Sequence, residues 1–246
     1  MDVDAYLNRI GVERSATLHQ MHRAHQETVP FENLGIHLGE PISLAPDDLF
    51  DKIVRRRRGG FCYELNGAFA IVLEALGYSV VRAAARVYRT PEQLGPPFDH
   101  LALLVHTPDG DGPWLADVGF GRHSTYPLRL GAHDDPSGQF LVTETPDGDL
   151  DVFRDGAGQY RLETRPRSLE DFEPTCWWQA TSPESHFTHA PVCSRLDGDG
   201  RVSLSGRTLI RTKGGTRSET PLDSDDEVLA AYRDHFGIAI DRVPSR

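Results

Sequence analysis

RGGFCYELNGAFAIVLEALGYSVVRAAARVYR, residues 58–89, decides the fold, because the apolar period changes once inside it. Phe61, Leu65, Phe69, Val72 and Leu76 recur at helical spacing and form one stripe. Gly77 stands where a glycine closes a helix C-terminus. Beyond it Val81, Ala83, Ala85 and Val87 alternate with Arg82, Ala84, Arg86 and Tyr88, which is the period of a strand. Cys62 falls in the first turn of the helix, just after Gly59 and Gly60 with Phe61 between.

Upstream of this switch the chain reads as helices. DAYLNRIGV is a short one. SATLHQMHRAHQETV places Leu18, Met21, His22 and His25 on one side and stops before Pro30. PDDLFDKIVRRRR starts with Pro46 at a first helical position, with Asp47 and Asp48 in the first turn and Arg55 to Arg58 suiting the last. Downstream, DHLALLVHT and PWLADVGFG are apolar strands joined through TPDGDGP, and FLVTETPDGDLDVFRDGAGQYRLETR reads as a meander. RLDGDGRVSLSGRTLIRTKGG is a further hairpin. SDDEVLAAYRDHF is a closing helix with a Ser224–Glu227 capping box and Gly237 at its end. Helices followed by antiparallel strands, without βαβ alternation, make the class α+β.

Composition narrows the function. Against 26 Lys and Arg stand 37 Asp and Glu, a net charge of −11, which argues against general nucleic-acid binding. The N-terminal MDVDAYLNRIGVERS lacks the basic and apolar regions of a signal peptide, and no stretch is apolar enough for a membrane span. Cys62, Cys176 and Cys193 form no disulfide or zinc pattern, so a reduced cytoplasmic setting is expected.

The chemistry centres on Cys62. A helix start favours a thiolate, which is the nucleophilic form. Two preceding glycines permit a close backbone approach or a positive φ. Such a thiol needs a base, and the base an orienting group. His100 opens an apolar strand, and Asp117 sits on another strand, on the face opposite Trp114, Ala116 and Val118. A carboxylate there is costly to bury unless a partner such as a histidine N–H meets it. Asp99 is a rival orienter but neighbours His100, and adjacent strand residues point to opposite faces. His19, His22 and His25 read as a solvated or partly buried helix face rather than a metal site. The four arginines read as a helix C-terminus rather than a phosphate site, and TKGGT as a hairpin turn. Cys176 and Cys193 read as structural cysteines in loop-like segments.

RGGFCYELNG, HLALLV and DVGFG, with VPFENL (29–34) upstream and SPESHFT (182–188) downstream, resemble the motifs of the arylamine N-acetyltransferases. The spacings of 38 and 17 residues between Cys62, His100 and Asp117 suit that family. The resemblance implies an N-terminal helical bundle (1–78), a central antiparallel β-barrel-like domain (79–175) and a C-terminal α/β lid (176–246). It implies a papain-like triad with Cys62 as acyl acceptor, His100 as base and Asp117 as orienter. The implied activity is ping-pong transfer of an acetyl group from acetyl-CoA, as co-substrate, to an aromatic amine or hydrazine, with no bound cofactor or metal. Phe31, Phe120 and Phe187 would line the amine pocket, and the backbones of Gly119 and Gly121 would approach the acyl or pantetheine part. Arg58 and Glu32 would pair, tying the bundle to the segment before Cys62. The chain ends at DRVPSR soon after its last helix, which implies a more open acceptor pocket. An amide synthase fed by a carrier protein, a thiol hydrolase and a binding module with a vestigial triad are the alternatives.

Overall fold

The computed structural model describes residues 2–245. Helix α1 (Val3–Ile10) starts where Asp2 Oδ1 accepts the Ala5 N–H at 3.0 Å, an N-cap that satisfies a free helix donor. Helix α2 (Leu18–Thr28) opens on a Thr17–Gln20 capping box. Its His22 and His25 are fully buried. The helix face expected to be solvated or partly buried is therefore fully buried at these two positions: α2 turns them toward Phe69, where His22 Nδ1 meets Thr125 O and His25 Nδ1 meets Tyr6 Oη. Strand β1 (Phe31–Glu32) and the short α3 (Leu34–Leu38) follow.

Helix α4 (Pro46–Phe50) widens into a π-helical turn over Asp51–Arg55. The helix therefore ends before Arg58. Arg57 has φ 52°, and Arg58 turns inward and is buried rather than closing the helix. Helix α5 (Cys62–Ala75) then carries the stripe read from the sequence, and Leu65, Phe69, Val72 and Leu73 are fully buried.

The strands β2 (Ser79–Thr90), β3 (Gln93–Leu94), β4 (His100–His106), β5 (Trp114–Ala116), β6 (Gly131–Asp135), β7 (Gly138–Glu144), β8 (Leu150–Arg154) and β9 (Ala157–Leu162) form one sheet. Its order is β5-β4-β2-β9-β8-β7-β6, with β3 on β2, and every pairing is antiparallel. The sheet curls as a half barrel. Strand β4, second from one end of the sheet, is buried on both faces, which is why HLALLV reads as an unbroken apolar run. One face packs on α1, α2 and α5 through Ala84, Leu101, Leu103 and Ala116. The other packs Ala83, Ala85, Ala102 and Leu115 against Phe140, Val152 and Tyr160.

Helix α6 (Glu173–Thr181) contains Cys176, and strand β10 (Val192–Asp197) contains Cys193. Both cysteines thus lie in regular elements, not loops. Strands β11 (Gly200–Ser205), β12 (Thr208–Lys213) and β13 (Thr216–Pro221) complete a second sheet in the order β1-β10-β11-β12-β13. Helix α7 (Asp225–Phe236) has the Ser224–Glu227 box and a Gly237 cap with φ 67°. It packs Val228, Tyr232 and Phe236 on Val202 and Leu204. The two-residue β1, early in the chain, is the edge of this late sheet: Phe31 pairs with Ser194 and Glu32 with Cys193. On its other side the Glu32 N–H donates to Gly60 O at 2.8 Å. Among the described residues no helix is long and apolar enough to cross a membrane.

Candidate active site

Gly59 makes room for a neighbouring backbone and Gly60 for a neighbouring side chain. A Cβ on Gly59 would lie 1.8 Å from the Pro30 carbonyl oxygen, and one on Gly60 would lie 2.6 Å from Glu64 Oε2. Neither has a positive φ. The smallness of Gly59 lets β1 lie against the segment that leads into α5, and that of Gly60 leaves room for the Glu64 side chain. Arg58 fastens the same junction. Its Nε donates to Glu32 Oε1 at 3.0 Å and its Nη1 reaches Glu40 at 3.3 Å, with both Arg58 and Glu32 buried. Beneath it Lys52 Nζ meets Glu64 Oε1 at 2.6 Å, and Glu64 Oε2 accepts the Phe61 N–H at 3.3 Å, holding the first turn of α5.

Cys62 is the first residue of α5 and is 3% exposed. Burial pushes its thiol well above the usual range, the Leu101 backbone pulls it down, and Cys176, Asp117 and Asp99 push it up. Desolvation is the largest of these influences and opposes the thiolate. Loss of the proton requires a base that takes it at once.

His100 opens β4 and Asp117 lies just past the end of β5, and their side chains meet: His100 Nε2 is 2.7 Å from Asp117 Oδ2. With Nε2–H donated to the carboxylate, Nδ1 is the ring nitrogen left as a proton acceptor. Leu101, the next residue, is the one whose backbone faces the Cys62 sulfur. Asp117 Oδ1 accepts from Asn66 Nδ2 at 2.9 Å and from the Gly119 N–H at 3.0 Å. Burial alone would raise this carboxyl. The His100 charge and hydrogen bond, His123 and Asn66 together hold it well below the ordinary carboxylate range. Asp99, by contrast, accepts from Gln179 Nε2 of α6 at 2.7 Å, and burial raises it. It fastens α6 and does not orient His100.

Three residues with no role at the site expected from the sequence complete the arrangement. Asn66 lies one turn after Cys62 on α5; its Oδ1 accepts the Val118 N–H at 2.9 Å and its Nδ2 also donates to Leu101 O at 2.6 Å. The spacing of four residues from Cys62 was the available signal, since it puts both on one helix face. Tyr160 of β9 packs its ring 5.0 Å from that of His100. His22 of α2 accepts the Asp117 N–H on Nε2 at 3.1 Å, a contact across 95 residues that no local pattern announces.

Cys62 opens into a cavity of about 400 Å³ whose wall includes Phe31, Phe120, Phe187, Gly119, Arg89 and Trp178. Phe31 and Phe187 pack with ring centroids 6.1 Å apart, and Phe120 stands edge-on to His100 at 5.1 Å. Gly119 is in the wall, but its smallness serves the nucleophile segment: a Cβ there would lie 2.8 Å from Cys62 Cα. Gly121 lies outside this wall and backs the Phe31 ring instead. Among the described residues no cluster of three metal-ligating side chains exists. The site sets a buried thiol beside the strand that carries His100, itself paired with Asp117, and opens it onto an aromatic wall against which a flat apolar group fits.

A family profile described as N-acetyltransferase matches residues 15–244. The chain is 37% identical over 261 residues to the arylamine N-acetyltransferase of Mycolicibacterium smegmatis, covering 100% of this chain and 95% of the relative. It is 32% identical to human arylamine N-acetyltransferase 1, covering 98% and 96%. The structure of Mycobacterium marinum arylamine N-acetyltransferase in complex with CoA superposes with a TM-score of 0.88 at 33% identity, covering 96% of this chain and 93% of that one. Sequence and fold agree over nearly the whole length, and the chain belongs to the arylamine N-acetyltransferase family of acyltransferase enzymes.

Proposed function

We propose that this enzyme transfers an acetyl group from acetyl-CoA to the nitrogen of an arylamine or arylhydrazine through an acetyl-Cys62 intermediate. The observation that carries this reading is the buried Cys62 thiol, in one apolar cavity, next to the strand whose His100 is held by Asp117 at 2.7 Å. His100 Nδ1 takes the Sγ proton, and the sulfur attacks the thioester carbonyl carbon. The bond from that carbon to the CoA sulfur breaks, and His100 returns the proton to the departing thiolate as CoA leaves. The amine nitrogen then attacks acetyl-Cys62, gives its proton to His100 and departs as the amide, and that proton goes back to Cys62. Asp117 remains a carboxylate throughout and stabilises the transient imidazolium. Phe31, Phe120 and Phe187 supply flat apolar surface for an aromatic acceptor. The CoA bound in the Mycobacterium marinum relative supports the choice of donor.

The test is an intact mass after incubation with acetyl-CoA and no amine. The parent protein is expected to gain one acetyl group and Cys62→Ala none, with aniline then discharging the adduct. Unchanged mass in the parent protein, with acetyl delivered only from a carrier-protein thioester, would replace this reading with the amide synthase. Steady loss of acetyl-CoA without amine would replace it with a hydrolase.

A further inference from the structure

The imidazole of His22 touches both ends of the loop that leaves β5. Its Nε2 accepts the Asp117 N–H at 3.1 Å and its Nδ1 lies 2.9 Å from Thr125 O. A backbone amide is only ever a donor, so Nε2 carries no proton. A neutral ring then has its proton on Nδ1 and donates it to Thr125 O. One rigid ring thereby joins the first and ninth residues of the segment 117–125, which also carries Gly119 and Phe120 of the cavity wall. Gln26, one turn further along α2, reinforces the far end by donating to Ser124 O at 2.9 Å. The Asp135 carboxylate accepts the Thr125 and Tyr126 N–H groups at 2.9 and 3.1 Å.

We propose that His22 is a positioning residue for the reaction: as a neutral Nδ1–H ring it clamps segment 117–125 and so fixes the Asp117 carboxylate toward His100. The proposal rests on Cys62, His100 and Asp117 working together as described above. A protonated ring would turn Nε2–H against the Asp117 N–H and release the clamp. Burial accordingly holds the ring down to about 4, against Thr125, Asp117 and Asp135, which raise it, and His19, which lowers it further. His25 and His123 are the other titratable groups in its field.

Two readouts test this, and neither uses acetyl-CoA, so failure of the clamp and failure of the acetyl-transfer reading are seen separately. Long-range proton–nitrogen spectra of histidine-labelled protein at neutral pH give the tautomer of each ring, with His22 assigned by its disappearance in His22→Gln. An Nδ1–H ring is expected; an Nε2–H ring or an imidazolium overturns the proposal. The second readout is the rate of Cys62 alkylation between about pH 5 and 9, the span of histidine and thiol titration. His22→Leu removes both bonds, whereas glutamine offers an acceptor and a donor on one side chain. The leucine variant is expected to react about tenfold or more slowly at neutral pH, its profile moved toward that of a free thiol, with glutamine restoring most of the rate. An unchanged profile in a folded leucine variant overturns the proposal. If the leucine variant does not fold, a glutamine variant as stable as the parent that has lost the profile overturns it equally.

Discussion

Two opposing demands meet at Cys62. Under the proposed reaction the thiol must be screened from water to hold an acyl group, yet burial raises it and disfavours the anionic form. The proposed reaction meets both by passing the Cys62 proton to His100, whose Nε2 lies 2.7 Å from the Asp117 carboxylate. The supports of this arrangement are themselves buried charges. Arg58, 4% exposed at its side chain, holds Glu32, which is fully buried. Removing one member of such a pair strands the other, a loss of about 3–5 kcal/mol. Arg58→Ala is therefore expected to lower the calorimetric Tm by roughly 10 °C at this chain length, and a shift of under about 2 °C would show the pair to be dispensable. Residues of this kind differ in how far sequence announces them. Asn66 sits one helical turn from Cys62 and was within reach of a pattern argument. His22 acquires its meaning only when β5 folds beside α2, and its neighbours on the helix give no hint of it.

Among the elements, those with a local cause were legible. The switch from a helical to an alternating period between α5 and β2 is written in consecutive side chains, and the caps of α7 are written in Ser224, Glu227 and Gly237. Helix α6 was not recognised, although Pro174 occupies an early helical position where a proline is well tolerated. Strand β1 could not be recognised, because two residues have no period and exist as a strand only through partners at 193 and 194. Helix α6 matters because it brings Trp178 to the cavity. It is fastened there by Gln179, which donates to Asp99 Oδ1 at 2.7 Å and accepts from Ser185 Oγ at 2.7 Å. Gln179→Leu leaves the buried Asp99 short of a donor, a cost of about 1–3 kcal/mol. The expected result is a KM for the amine raised several-fold, with Cys62 acetylation by acetyl-CoA little changed. Loss of the acetylation step, with KM intact, would place Gln179 in the chemistry instead.

At the scale of the molecule, burial holds the rings of His22, His25 and His123 in their neutral form. Burial lowers His22 and His123 to about 4 and His25 to about 3. In the unfolded chain each titrates near ~6.5. Below that value the unfolded state binds more protons than the folded one, so stability falls as pH drops from about 6.5 toward 4. Each ring contributes on the order of 2 kcal/mol of loss by pH 5. Asp99 and Glu64, both raised by burial, act in the opposite sense and soften the slope. Asp117, held low, adds its own loss only below about pH 4, where its unfolded counterpart takes up a proton. Urea unfolding at pH 7, 6 and 5 is expected to show a steady decline that His25→Gln makes shallower. A flat profile across that range would mean that the rings are charged in the folded state.

The lodging of β1 between Gly60 and β10 sets an order of assembly. Cys62 leaves the ribosome well over a hundred residues before Ser194, at roughly 5–20 residues per second. Until the late strand arrives, Phe31 has no partner on that side, and the wall of the acyl cavity lacks Phe187. Cys62 is synthesised early and housed late. Its surroundings are thus a property of the finished chain, completed by a pairing of high sequence separation that also belongs to the slow class of folding contacts.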